Sequence, residues 1–137
     1  MIYENTKCKC NSPKVIPPII RELLKAENEI DQDKEHFWSV GLTTNNNIKY
    51  IELVSLGILN ASIVHPREVY RLAVMKAVAG VIVVHNHPSG NAKPSPEDRK
   101  VTKQLVKAGE ILSIPIIDHI IIAEDEYYSF VENGNLS

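Results

Sequence analysis

Only two cysteines occur in the 137 residues, Cys8 and Cys10, and both fall in the run KCKC. One intervening residue is a poor spacing for a structural zinc knuckle, and no second pair exists to complete one. The pair therefore reads as reduced thiols on a flexible N-terminal tail, residues 1–15, with a redox role as the alternative. No apolar run approaches a membrane span: Ile116–Ile122 is short and is interrupted by Asp118 and His119. The N-terminus lacks the apolar core of a signal peptide, so a cytoplasmic location is the expectation. Positive charge is not in excess either. Fifteen Lys and Arg against seventeen Asp and Glu give a formal net charge of −2, which removes the bulk electrostatic reason for strong non-specific nucleic-acid binding.

What is present is ordinary for one globular domain with a real core: 44% hydrophobic and 23% charged residues. PPIIRELLKAENEI predicts an amphipathic helix from about Pro18 to Ile30, with apolar residues at helical spacing. HFWSVGLTT and IKYIELVSLG are β-rich runs separated by Asn45–Asn47 and predict a hairpin. ASIVHP predicts a short strand, and PREVYRLAVMKAVAG a helix with Pro66 at its first position and Gly80 past its end. VIVV predicts a fully buried strand. A third helix follows over PEDRKVTKQLVKAGEIL, then a strand or hairpin over IPIIDHIIIA and a short closing helix over EYYSFVENG. The order predicts a single α/β domain over residues 16–137, a mixed β-sheet flanked by helices.

The chemistry-bearing stretch is VIVVHNHPSGNAKPSPED, residues 81–98. SPED alone is a good helix start: Ser95 as N-cap, Pro96 at the first helical position and Asp98 closing a capping box. That accounts for Ser95 and Asp98 without chemistry, but it leaves His85 and His87 unexplained. Side chains alternate along a strand, so these two imidazoles share a face, with Asn86 on the other. A carboxylate from the following helix can join them. Two imidazoles and a carboxylate are the ligand set of a catalytic zinc site, in which a fourth position is left for water of lowered pKa. The pattern His-x-His-x₇-Ser-x₂-Asp arises by chance in roughly one chain of this length in several thousand.

HNHPSG…PSPED resembles the JAMM metalloprotease motif of the MPN superfamily, in its bacterial RadC-like branch. EHFWSVGL, HPREVYRLA and IPIIDHIII fall in that family's order, and the resemblance runs from about Lys34 to Val131. It implies a cytidine-deaminase-like three-layer architecture and one Zn²⁺ per chain held by His85, His87 and Asp98. It further implies that Ser95 hydrogen-bonds a substrate carbonyl or oxyanion and that Glu35, in KEHFW, is the general acid/base. Composition would not choose Glu35 over Glu52; only the resemblance does. Longer family members carry an N-terminal helix-hairpin-helix segment. The residues before Lys34 hold one helix and no glycine, which counts against a DNA role.

The leading expectation is a zinc hydrolase that cleaves a peptide or isopeptide bond in a peptide or protein substrate. A DNA-processing protein is the runner-up. The letters HNH invite a nuclease label, but that nuclease motif spreads its residues over a ββα finger and is not a contiguous tripeptide. A non-catalytic interaction module is the third reading, disfavoured because every motif residue is present. Asp118 and His119 are expected to serve as hydrogen-bond partners in the core or behind the metal.

Overall fold

The computed structural model describes residues 2–4, 8–59 and 62–136. Among them are six strands, β1 (Ile2–Glu4), β2 (His36–Leu42), β3 (Ile48–Leu56), β4 (Gly80–Asn86), β5 (Ile116–Ile122) and β6 (Tyr127–Ser129). The helices are α1 (Ile16–Lys25), α2 (Glu29–Gln32), α3 (Pro66–Met75) and α4 (Pro96–Leu112). The strands form one sheet in the order β1-β3-β2-β4-β5-β6. Its pairs are antiparallel except β4 with β5, which α4 connects as a crossover. The chain is thus the mixed sheet flanked by helices that the element order predicts.

Both faces of the sheet are covered, and period-two alternation sorts the side chains between them. Trp38, Val40, Ile82 and Val84 face α1, where Ile16 and Ile20 are buried. Phe37, Val81 and Val83 face α3 and α4, against Val69, Leu72, Ala73, Val101 and Leu105. Each such fully buried aliphatic side chain contributes on the order of 2 kcal/mol relative to exposure. Gly109 lets α4 sit close to its neighbours: a Cβ there would run into the Tyr70 hydroxyl and the Ile114 carbonyl. The Tyr70 hydroxyl donates to that carbonyl at 2.9 Å.

The β2–β3 hairpin, the buried β4 and the long α4 lie where the sequence places them. Four expectations are corrected. The first helix ends at Lys25, not Ile30, because Asn28 takes an extended conformation and its side chain caps a new short helix, α2. Ile30, counted as the last apolar position of one helix, is 75% exposed. Within ASIVHP, Ala61 lies outside the described residues, and Ser62–Val64 form a turn rather than a strand. EYYSFVENG opens as β6 rather than a helix, because Tyr127–Ser129 pair with the free edge of β5. Finally, the tail reading of residues 1–15 does not hold for the described part. Ile2–Glu4 pair with β3, Lys9 bridges to Asn47, and Cys10 is buried.

Candidate metal centre

The site lies at the C-terminal end of β4 and the N-terminal end of α4, the customary place for ligands in sheets with a parallel crossover. His85 is the penultimate residue of β4 and His87 follows the strand, so their side chains share the α4 side. Asp98 reaches them because of helical spacing. It heads the inward stripe of α4, followed by Val101, Thr102, Leu105 and Gly109, all buried. The capping box predicted for Ser95 and Asp98 is formed: Asp98 N–H donates to Ser95 Oγ at 3.1 Å, and Ser95 N–H donates to Asp98 Oδ2 at 2.7 Å.

The structure brings the three predicted ligands together: one ligand atom from each of His85, His87 and Asp98 lies within 4.8 Å of the others. His87 Nε2 stands 3.1 Å from Asp98 Oδ2, and His85 Nδ1 stands 3.2 Å from Asp98 Oδ1. The second contact lacks hydrogen-bond alignment, and neither ring nitrogen of His85 has a hydrogen-bond partner although the residue is 1% exposed. A buried imidazole left without partners is costly unless something else binds it. That orphaned ring, beside a second imidazole and a buried carboxylate, fits a divalent metal of the zinc type. His87 Nδ1 lies 2.8 Å from the Asn91 carbonyl oxygen, to which it donates, and this would leave Nε2 as the electron-pair donor to an ion held beside Asp98.

Electrostatics keep the carboxylate ready. Burial works against a charged Asp98, but the imidazoles of His85 and His87 facing it and the Ser95 N–H outweigh that and hold the carboxyl far below the usual range. Burial also pulls His87 down, yet Asp98 and the Asn91 carbonyl outweigh it and raise the imidazole above its ordinary value.

Glu35 immediately precedes β2. Antiparallel pairing sets Phe37 opposite His85, which puts the start of β2 beside the end of β4. Glu35 Oε1 lies 4.0 Å from His85 Nε2. The other oxygen, Oε2, accepts Leu59 N–H at 3.0 Å, and the Glu35 carbonyl accepts Gly57 N–H at 2.8 Å. Gly57 has φ 128°, a conformation L side chains rarely adopt, and there the chain leaves β3 and turns back so that Leu59 meets Glu35. All five predicted residues border one open cleft of about 410 Å³, together with Ile58, Leu59, Ser89, Asn91 and Lys93.

Behind the ligands, the Thr102 hydroxyl donates to the Asp98 carbonyl at 2.8 Å. Its single hydrogen is then used, so His119 Nδ1, 2.5 Å away, is the donor in that contact. His119 thus connects to the metal-side turn of α4 through Thr102. Asp118 has a purely structural place: it accepts from His119 N–H, Val131 N–H and the Ser129 hydroxyl, tying β6 and the turn after it to β5. Leu59, Asn91 and Thr102 were not singled out in the sequence. Their roles are backbone contacts or depend on long-range pairing, which leaves no local spacing signal.

A family model described as a RadC-like JAB domain matches residues 11–135. The chain is 47% identical over 131 residues to a UPF0758 protein of Methanosarcina mazei, covering 96% of this chain and 55% of the relative. It is 51% identical over 104 residues to a UPF0758 protein of Methanococcoides burtonii, covering 76% and 45%. A UPF0758 protein of Listeria welshimeri is 44% identical over 128 residues, with 93% and 53% covered. The chain spans about half the length of the curated relatives it matches. Among the described residues no helix is long and apolar enough to cross a membrane.

Proposed function

The chain belongs to the RadC-like JAB domain family, and from that premise we propose that it is a zinc-dependent hydrolase that cleaves a peptide or isopeptide bond. The observation that carries the reading is the buried, partnerless His85 ring beside His87 and Asp98, open to a cleft that also presents Glu35. His85, His87 and Asp98 would hold one Zn²⁺. When bound, the ion supplies Lewis acidity, acidifying a water and polarising a carbonyl.

The chain's own groups divide the remaining work. Glu35 is fixed by Leu59 N–H through Oε2, so Oε1, the oxygen nearer His85, is the one available to take the proton of the attacking water. The same carboxyl then delivers that proton to the departing amine. Ser95 Oγ accepts Asp98 N–H, which leaves its own O–H to donate to the substrate carbonyl as negative charge develops there. The N-terminal end of α4 adds the positive end of its dipole at the same place.

The test is metal analysis of the purified chain, followed by a peptide-cleavage screen with and without chelator. About one zinc per chain is expected, lost in a His85→Ala/His87→Ala double variant, together with cleavage that chelation abolishes. Full zinc content in the double variant would remove the ligand assignment.

A further inference from the structure

The tripeptide His85-Asn86-His87 presents two faces, and the function above uses only one. Asn86 points away from the histidines and is 5% exposed. Its carboxamide makes two hydrogen bonds to the backbone at the start of β2. Nδ2–H donates to the Lys34 carbonyl at 3.1 Å, and Oδ1 accepts His36 N–H at 2.5 Å. These atoms bracket Glu35. The β2–β4 ladder ends at Phe37 and His85. One step beyond, the side-chain amide of Asn86 takes the place of a strand neighbour, bonding the C=O before Glu35 and the N–H after it, as a parallel partner would. The other side of Glu35 is held by β3, through Gly57 N–H on its carbonyl and Leu59 N–H on its carboxylate.

We propose that Asn86 is a positioning residue for Glu35: its carboxamide fixes the backbone on either side of Glu35, and so sets where that carboxylate stands relative to the site formed by His85, His87 and Asp98. This rests on reading Glu35 as the proton-handling group. One strand end then supplies two ligands on one face and the clamp for the base on the other, so metal and base keep a common reference. The residue type follows from the contacts. The clamp needs one donor and one acceptor on a short planar arm, which asparagine provides. Aspartate keeps the acceptor for His36 N–H but sets a second acceptor against the Lys34 carbonyl. Alanine removes both bonds.

The test uses the full chain and variants Asn86→Ala and Asn86→Asp, with Glu35→Ala as reference. Amide hydrogen exchange in the metal-free chain reads the Leu59 N–H bond to Glu35 without any substrate. Both Asn86 variants should speed exchange at Leu59 by roughly 10-fold, the size expected for losing one hydrogen bond. They should approach the Glu35→Ala reference while amides within α4 and β5 keep their protection. Zinc stoichiometry should be unchanged, because no ligand is touched. With a cleavable peptide, Asn86→Asp should lower kcat more than it changes KM, and should add nothing further in a Glu35→Gln background. A role in general stability alone would lower turnover equally in both backgrounds. Leu59 protection unchanged in both variants, or an undiminished loss in the Glu35→Gln background, overturns the proposal. Failure of the hydrolase reading looks different: the wild-type chain would neither hold zinc nor cleave, whatever Leu59 does.

Discussion

Asp98 Oδ2 accepts the Ser95 N–H at 2.7 Å and also lies 3.1 Å from His87 Nε2, so one carboxylate closes a helix cap and faces an imidazole. The capping box is therefore not an alternative to the metal centre. It is the device that presents the carboxylate, because the reciprocal bonds between Ser95 and Asp98 fix the first turn of α4.

Ser95 can be separated from its cap. Ser95→Ala should cost about 1 kcal/mol of stability for the lost cap, and should also lower turnover. Ser95→Asp retains a good capping acceptor and should recover most of that stability. It has no hydroxyl to give to a developing oxyanion, so turnover should stay about 10²-fold down. Ser95→Thr should keep both properties. Thermal melts beside peptide cleavage decide the matter, and wild-type turnover in Ser95→Asp would reduce Ser95 to a cap.

Ligand and base should fail differently. Glu35→Gln keeps size and the acceptor for Leu59 N–H but removes basicity. Zinc content and folding should hold while turnover falls by about 10² to 10⁴. Asp98→Asn removes a charged ligand from a buried position, so zinc should be lost first, with the start of α4 loosened as well. Metal content measured beside activity distinguishes the two. A Glu35→Gln protein that turns over like wild type would place the base elsewhere.

Much of this site was legible because its central part is local. His85 and His87 share a face by strand alternation, and Asp98 lies in the first turn of a helix whose apolar positions Val101 and Leu105 recur at helical spacing and are buried with it. Glu35 was not legible from its own surroundings, since it reaches the site only through the register that sets Phe37 opposite His85. The clamp by Asn86 depends on the same register. Misread elements have similar causes. Tyr127–Ser129 become a strand because β5 offers an open edge and Asp118 binds the Ser129 hydroxyl and Val131 N–H, contacts no local window contains. The first helix stops where the side chain of Asn28 accepts Asp31 N–H and starts a new turn.

Nucleic acid is expected to bind poorly to this chain. Its net charge is −2, its sequence pI is about 6.2, and the cleft carries Glu35, Glu97 and Asp98 against Lys93. At physiological salt, random duplex DNA should bind with a dissociation constant no tighter than the ordinary non-specific range of about 10⁻⁴ to 10⁻⁶ M. Fluorescence anisotropy with a labelled duplex checks this. Sub-micromolar binding that weakens steeply with salt would return the DNA-processing reading to the front.

His119 should make the fold acid-sensitive in a way that can be isolated. It is fully buried between Phe37 and Phe130, stacked on Phe130 with ring centroids 4.7 Å apart. Burial disfavours its charged form, and the nearby His85 adds to that, so its pKa falls to about 3 from 6.5. The native chain then holds His119 neutral where the unfolded chain protonates it. Stability must rise with pH wherever the unfolded state binds more protons, so it is complete above about pH 6.5 and is lost progressively down to about pH 3. Within that window His119 alone contributes a slope of up to about 1.4 kcal/mol per pH unit. Asp98, held low by its partners, loses stability at still lower pH, and Asp118, raised by burial, works in the opposite sense. Comparing denaturant unfolding of the metal-free wild type with His119→Gln from pH 4 to 7 removes those shared contributions. The variant should be weaker at pH 7, because the contact with Thr102 is altered, yet flatter with pH by up to one proton's slope. Parallel curves for the two proteins would mean that His119 is protonated equally in both states, and that the buried ring does not set the acid limit of the fold.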